Sequence, residues 1–313
     1  MPFASIPDDE LKGLLPFARV YYEMYPDCKI VTQEIRLVGP VSMWFHHVMP
    51  FFPMVLLPKT TMRNVILHLM LGNNVRVLMG NGRLTDLRNH RMDLFNLESY
   101  FNTVPLEPGQ WFDSFHINFR PESAGELMDT VPELAGLITP EILQGEGRIN
   151  ARHVVFNEVC QRALKNILCC KQIGDTAEYF LRRQAVNLLT VFLRAMRQDA
   201  GEVRMSTKNR KKTAACYHYL VRNFAKPHTV ESLGERFSLD HTLLEASFVA
   251  RYGRTIPEFI MDKRMHVAYL ALMKTKAPFS RIAEDTGFDS VAAFRIAFRK
   301  YFRVEPVHFI KGQ

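Results

Sequence analysis

The chain has little of what marks a secreted, membrane-bound or metal-bound protein. Only five of its 313 residues are cysteine. Cys28, Cys160, Cys169, Cys170 and Cys216 form neither a C-x-x-C pair nor a Cys/His ligand spacing, and an odd number argues against a disulfide framework. They read as free thiols of a reducing compartment. The opening MPFASIPDDELKG lacks the basic-then-apolar order of a secretory signal. The apolar run from Phe45 to Leu57 is interrupted by Pro50, Pro53 and two histidines, and is too short for a bilayer. A cytoplasmic location without a membrane partner is therefore expected. G-x-S-x-G, P-loop, H-E-x-x-H and complete G-x-G-x-x-G motifs are all absent; MGNGRL lacks the third glycine. No catalytic residue, cofactor or metal is assigned, and the chain is not read as an enzyme.

What is present is a lopsided charge. Ser206–Gln313 holds 19 of the 40 Lys and Arg but only 10 of the 32 Asp and Glu. The formal charge of +8 thus resides entirely in the last third of the chain. Such asymmetry suits a polyanion-binding domain joined to a neutral one.

Residues 28 to 120 carry short β-branched or aromatic runs, such as KIVTQEIRLVG, NVILHLMLG and DSFHINF, separated by Gly, Pro and Asn. This is the pattern of an antiparallel sandwich or barrel. GNN at 72–74 and GNG at 80–82 read as hairpin turns. His46, His47, His68, His90 and His116 lie in this half. Neighbours on a strand face opposite ways, so His46 and His47 do not converge; the five are read as packing or surface residues. Trp44, Phe45, Phe51, Phe52, Met54, Trp111, Phe112 and Phe115 are read as core, with a ligand pocket as the second choice. Two helical stripes follow, Phe156–Leu168 and Leu181–Met196, the second with Asp175 and Glu178 spaced like a capping box. The stripes would pair with each other or face a second copy of the chain. Gln198–Lys212, polar and without apolar period, reads as a linker.

The C-terminal third repeats itself. Leu233, Gly234, Leu244, Phe248 and Tyr252 recur as Ile282, Ala283, Phe294, Phe298 and Phe302 at separations of 49 or 50 residues. Each copy is a short helix, a sharp turn and a second helix. In the first, Val230–Phe237 precedes a turn at Ser238-Leu239 and a helix capped by Asp240. In the second, Arg281–Thr286 precedes Gly287 in a left-handed turn, Phe288 plugs the gap, and Asp289 or Ser290 caps the next helix. These are helix-turn-helix units, about 230–252 and 281–302, joined by a helix near Ile256–Met273.

At these residues the chain resembles the DNA-binding domain of AraC/XylS-family transcription regulators. Leu233, Leu244, Phe248, Gly253, Arg264, Ala268, Ile282, Ala283, Gly287, Phe288, Phe294, Phe298 and Pro306 carry the resemblance. Gly234 stands where the family usually has Ala. Arg303 replaces a helix-ending Gly, while Ala246 and Ile296 replace frequent arginines. The resemblance implies an α+β chain. Residues 1–200 would be a β-rich, cupin-like sandwich or barrel with a helical pair, serving as a sensor and dimerisation domain. Residues 201–313 would be an all-α DNA-binding domain of two helix-turn-helix units. It further implies a homodimer on double-stranded DNA, RNA polymerase as a partner and an unknown small-molecule effector with no assigned binding residues. His241, Thr242, Glu245, Val291, Ala292 and Arg295 are the candidates for base contacts, and Arg251, Arg254, Arg299, Lys300 and Arg303 for phosphate contacts. The alternatives are an effector-independent DNA-bound scaffold and a cupin-like metal-dependent enzyme.

Overall fold

The computed structural model describes residues 14–310 apart from 38, 40, 60–61, 99–101, 130, 137–138, 199–205 and 303. The chain divides into two compact units, Met1–Met196 and Arg197–Gln313.

The first unit is β-rich. Its strands are β1 (Arg19–Met24), β2 (Cys28–Arg36), β3 (Val41–Pro50), β4 (Met54–Leu56), β5 (Asn64–Met70), β6 (Val75–Leu78), β7 (Leu84–Leu87), β8 (Arg91–Leu97), β9 (Val104–Leu106), β10 (Phe112–Phe119), β11 (Gly147–Arg148) and β12 (Val154–Val155). The main sheet is antiparallel in the order β1-β2-β3-β10-β5-β8-β11, with β12 also on β8; β4 pairs with β9 and β6 with β7. Period-two burial is clean in β6, where Val75 and Val77 are buried and Arg76 and Leu78 exposed. Val75, Val77, Leu87, Val104 and Leu106 of the small sheets pack with Val48, Met70, Phe95 and Phe112 of the main sheet in one apolar cluster.

Residues 80–82 make the expected hairpin. Met79 N–H bonds to Arg83 O at 2.8 Å, and Gly82 adopts φ +78°. Residues 72–74 do not, since β5 and β6 belong to different sheets. Gly72 instead lies so close to β10 that a Cβ would come within 2.3 Å of Trp111 O.

Short helices α1 (Ala124–Met128) and α2 (Pro140–Gln144) precede α3 (Glu158–Leu168) and α4 (Gly174–Gln198). Asn157 caps α3 by accepting from Val159 and Cys160 N–H. Helix α4 begins at Gly174, so Asp175 lies inside the first turn instead of capping it, and Glu178 pairs with Arg182 at 3.6 Å. Asn166 donates to Gln184 at 3.2 Å, tying α3 to α4. The middle of α4, from Gln184 to Leu193, is buried all round within one copy of the chain. It is therefore core on every side, not a one-sided stripe awaiting a second copy.

The second unit is helical: α5 (Thr207–Asn223), α6 (Val230–Phe237), α7 (His241–Tyr252), α8 (Ile256–Lys274), α9 (Phe279–Asp285), α10 (Val291–Phe302) and a final 3₁₀ turn, Pro306–Phe309. Ser206 caps α5 by accepting from Asn209 N–H, so the helix starts well inside the expected linker. Downstream burial of Thr213, Cys216, Tyr217 and Leu220 holds it, and its polar first turns extend from that anchor. Two aromatic clusters form the core. Tyr217 stacks on Tyr252 at 4.4 Å, with Phe248 and Phe259 beside them. Phe298 lies 4.5 Å from Phe302 and 5.3 Å from Phe309, with Tyr269 and Phe294 adjoining. Helix α8 places Phe259 in one cluster and Tyr269 in the other, about 15 Å apart along its axis at 1.5 Å per residue.

Candidate nucleic-acid interface

Two short-helix/long-helix pairs, α6–α7 and α9–α10, present their second helices. Helix α6 ends at Ser238 in the left-handed conformation, φ +50°, and the Lys212 ammonium donates to Ser238 O. Gly234 permits the tight return: a Cβ there would lie 2.8 Å from Leu239 O. Asp240 then caps α7 through Leu243 N–H at 2.9 Å. In the second pair Gly287 takes φ +79°, and its missing Cβ would lie 2.0 Å from Ala225 O. Ser290 caps α10 by accepting from Ala293 N–H at 3.1 Å. The Arg264 guanidinium locks this corner. It donates to Gly287 O at 2.7 Å and to Phe224 O at 3.0 Å, and sits over the Phe288 ring. Short α9 starts at Phe279 behind Pro278, two residues before its expected beginning.

The candidate contacts fall into three groups. His241, Thr242, Ala292, Arg295, Arg299 and Lys300 are exposed on α7 and α10, and Val291 is half-buried at the start of α10. Arg251 is half-buried over the Tyr252 ring at 5.4 Å. Two others are placed differently from expectation. Arg254 is 3% exposed and pairs with Asp262 at 3.3 Å. It follows the Gly253 turn, which directs it inward, so it does not offer a free cation to phosphate. Glu245 does not share the outer face of α7. Its carboxylate accepts from Ile256 N–H at 3.2 and 3.3 Å, at the start of α8. Burial, more than the opposing pull of that N–H, raises its pKa. Arg303 lies outside the described residues.

Glu305 belongs to the site although no sequence motif marks it. Its carboxylate accepts from Arg295 at 3.2 Å and pairs with Arg299 at 3.4 Å, holding two exposed guanidinium groups side by side. Ile296, 63% exposed between them, adds an apolar surface.

Residues 233–312 match a family described as a helix-turn-helix domain. The probable transcriptional regulator LumQ of Photobacterium leiognathi is 25% identical over 92 residues, covering 29% of this chain and 37% of that protein's length. Among solved structures, the C-terminal domain of the response regulator yesN from Fusobacterium nucleatum is 25% identical. That match covers 32% of this chain and 97% of the other, at a TM-score of 0.30. ToxT from Vibrio cholerae is 11% identical, covering 88% of this chain and all of the other, at a TM-score of 0.35. Residues 233–312 are a helix-turn-helix domain. This domain begins at Leu233, within α6, and contains Arg264, Gly287 and both aromatic clusters apart from Tyr217.

The β-rich unit has a second candidate site. A cavity of about 480 Å³ opens on the main-sheet face that carries Ile30, Trp44, Val48, Phe95 and Phe112. Three histidines of adjacent strands meet in it: His46 of β3, His116 of β10 and His68 of β5. The ring centroids are 4.9 Å apart for His46–His116 and 4.8 Å for His68–His116. Burial lowers all three pKa values, to about 4 for His46 and about 3 for His68, so the imidazoles are neutral at pH 7. Thr32 Oγ1 meets His46 Nδ1 at 3.1 Å, whereas both ring nitrogens of His68 and Nε2 of His116 have no hydrogen-bond partner among the described residues. Each such buried atom costs about 1–3 kcal/mol. Scattered in sequence, these histidines were read singly; only the strand register brings them together. Among the described residues, no group of three or more His, Cys, Asp or Glu is placed to hold a metal ion, and no helix is long and apolar enough to cross a membrane.

Proposed function

We propose that the protein is a sequence-specific, DNA-binding transcription regulator. The observation that carries this reading is the paired presentation of α7 and α10, each behind a tight turn, in a unit holding the chain's whole positive excess. Both pairs act as helix-turn-helix units. His241, Thr242, Val291, Ala292 and Arg295 read base edges, and Arg251, Arg299 and Lys300 hold phosphates. Glu245 and Arg254 serve the domain's own structure. The test is binding of the full chain to duplex DNA over a range of salt concentrations. Affinity falls linearly on a log–log plot as counterions are released; a flat response would exclude this reading.

The β-rich unit is the sensor in this proposal. Its cavity of about 480 Å³ supports that role, since a mostly apolar concavity with a few convergent polar groups is the usual form of a small-molecule site. A dimer, contact with RNA polymerase and a cytoplasmic location belong to the same reading by resemblance.

A further inference from the structure

Positive charge is unevenly spread over the second unit. Helices α6 and α7 and the turn between them, Val230–Tyr252, carry two basic residues against four acidic ones, Glu231, Glu235, Asp240 and Glu245. Both cations lie over tyrosine rings: Arg236 is 4.2 Å from the Tyr219 ring and Arg251 is 5.4 Å from that of Tyr252. The first presented helix would thus meet a polyanion from a net negative surround. Helix α5 is the reverse. It carries Lys208, Arg210, Lys211, Lys212 and Arg222 and no acidic residue. These are five of the nine net positive charges of Ser206–Gln313, which holds 19 basic and 10 acidic residues. Four of the five crowd into the first two turns, where the helix dipole disfavours cations. Lys208, Arg210 and Lys211 are exposed, and none pairs with a carboxylate among the described residues.

Helix α5 is fixed against the first helix pair. The Lys212 ammonium donates to Ser238 O, in the turn that leads into α7. Tyr219 packs edge-on against Phe237 at 5.8 Å, and Tyr217 stacks on Tyr252. Lys208 lies one turn, about 6 Å, before Lys212 on the same side of the helix, and Lys211 is three residues from Lys208. Arg210, two residues from both Lys208 and Lys212, projects on the opposite side. We propose, resting on the DNA-binding reading, that this face of α5 is the phosphate clamp of the first helix pair. Lys208 and Lys211 hold backbone phosphates beside the groove that α7 enters. An ammonium is a compact point charge with three donors, which suits phosphate oxygens. Such contacts set affinity and register and carry no sequence information. They supply the charge that α6 and α7 lack, and they account for cations gathered where the helix dipole opposes them.

The test uses the purified full chain, a DNA duplex that it enriches from a random pool and a scrambled duplex, with fluorescence anisotropy over a salt series. Lys208→Gln with Lys211→Gln is expected to reduce the salt slope by about 2, one for each lost phosphate contact. Affinity should fall by at least about tenfold at about 0.1 M salt. Both duplexes should lose equally, so the preference between them is unchanged. Lys208→Arg with Lys211→Arg should keep the slope. The melting temperature of the Gln variant should not fall, since the removed charges oppose the dipole. Should it fall, the single variants are measured, each with a slope lower by about 1. Arg210→Gln removes the same charge from the other side of α5 and should keep the parent slope. A parent slope in the folded Lys→Gln variants overturns the inference; if Arg299→Ala still lowers the slope, the regulator reading stands. An equal loss per charge from Arg210→Gln overturns it too, since bulk charge alone then acts. An altered preference between the duplexes would mean base reading in place of a phosphate clamp. Absence of salt-dependent binding by the parent removes both this inference and the regulator reading.

Discussion

The Glu245 carboxylate accepts from the backbone N–H of Ile256 at 3.2 and 3.3 Å, tying the middle of α7 to the start of α8. The same helix start has its own capping box, Thr255 with Glu258. Glu245 is thus a second acceptor at one positive helix end. Because burial raises its folded pKa, the protonated form favours folding, and this contribution is lost as pH rises through the folded value. Glu245→Gln, which keeps an acceptor without the charge, should be neutral or stabilising at pH 7. Glu245→Ala should cost about 1 kcal/mol, the usual worth of a cap. Thermal melts at pH 4 and pH 7 check both: the Gln variant's relative advantage should shrink at the lower pH.

Gly287→Ala is expected to be severe. It adds left-handed strain of about 1–2 kcal/mol to a Cβ placed 2.0 Å from Ala225 O. Gly234→Ala should cost less, since its contact is 2.8 Å and the gain in helix propensity of about 1 kcal/mol offsets part of it. Denaturant midpoints of the two variants give the order.

Glu305→Gln should release Arg295 and Arg299 from their shared carboxylate. DNA affinity at low salt is expected to rise and its salt dependence to steepen. Arg299→Ala should reduce the salt slope by about 1, the value of one phosphate contact. Fluorescence anisotropy across a salt series measures both.

Arg254→Ala should act on stability. Breaking its pair with Asp262 leaves a half-buried carboxylate without its cation, at a cost of about 3 kcal/mol. Under conditions where the variant is folded, its salt slope for DNA should match that of the parent. A slope reduced by about 1 would return Arg254 to the phosphate contacts.

Leu189→Asp should unfold the β-rich unit, not yield a folded monomer. Leu189 is 1% exposed, and truncating a buried Leu to Ala alone costs about 2–5 kcal/mol. Circular dichroism with size-exclusion chromatography distinguishes the outcomes.

Much of the helical unit could be read from local signals. Gly287, Asp240 and the spacing of Phe294 and Phe298 each act within a few residues of themselves, through allowed φ, a cap and one turn of helix. Helix α6 accordingly has the bounds Val230–Phe237 that its sequence suggests. Helix α5 was missed because its first turns carry no apolar period; burial further along the helix sustains them.

The sequence by itself determined what depends on neighbours along the chain: turns, caps, the repeat and the concentration of positive charge. Tertiary structure alone decided what those side chains meet. Glu245 and Arg254 read as surface charges until α8 supplied Ile256 N–H and Asp262. Glu305 gained its role from two arginines on α10 that lie six and ten residues before it. The three histidines, 22 to 70 residues apart in the chain, converge through the β3-β10-β5 register, which local preference does not encode.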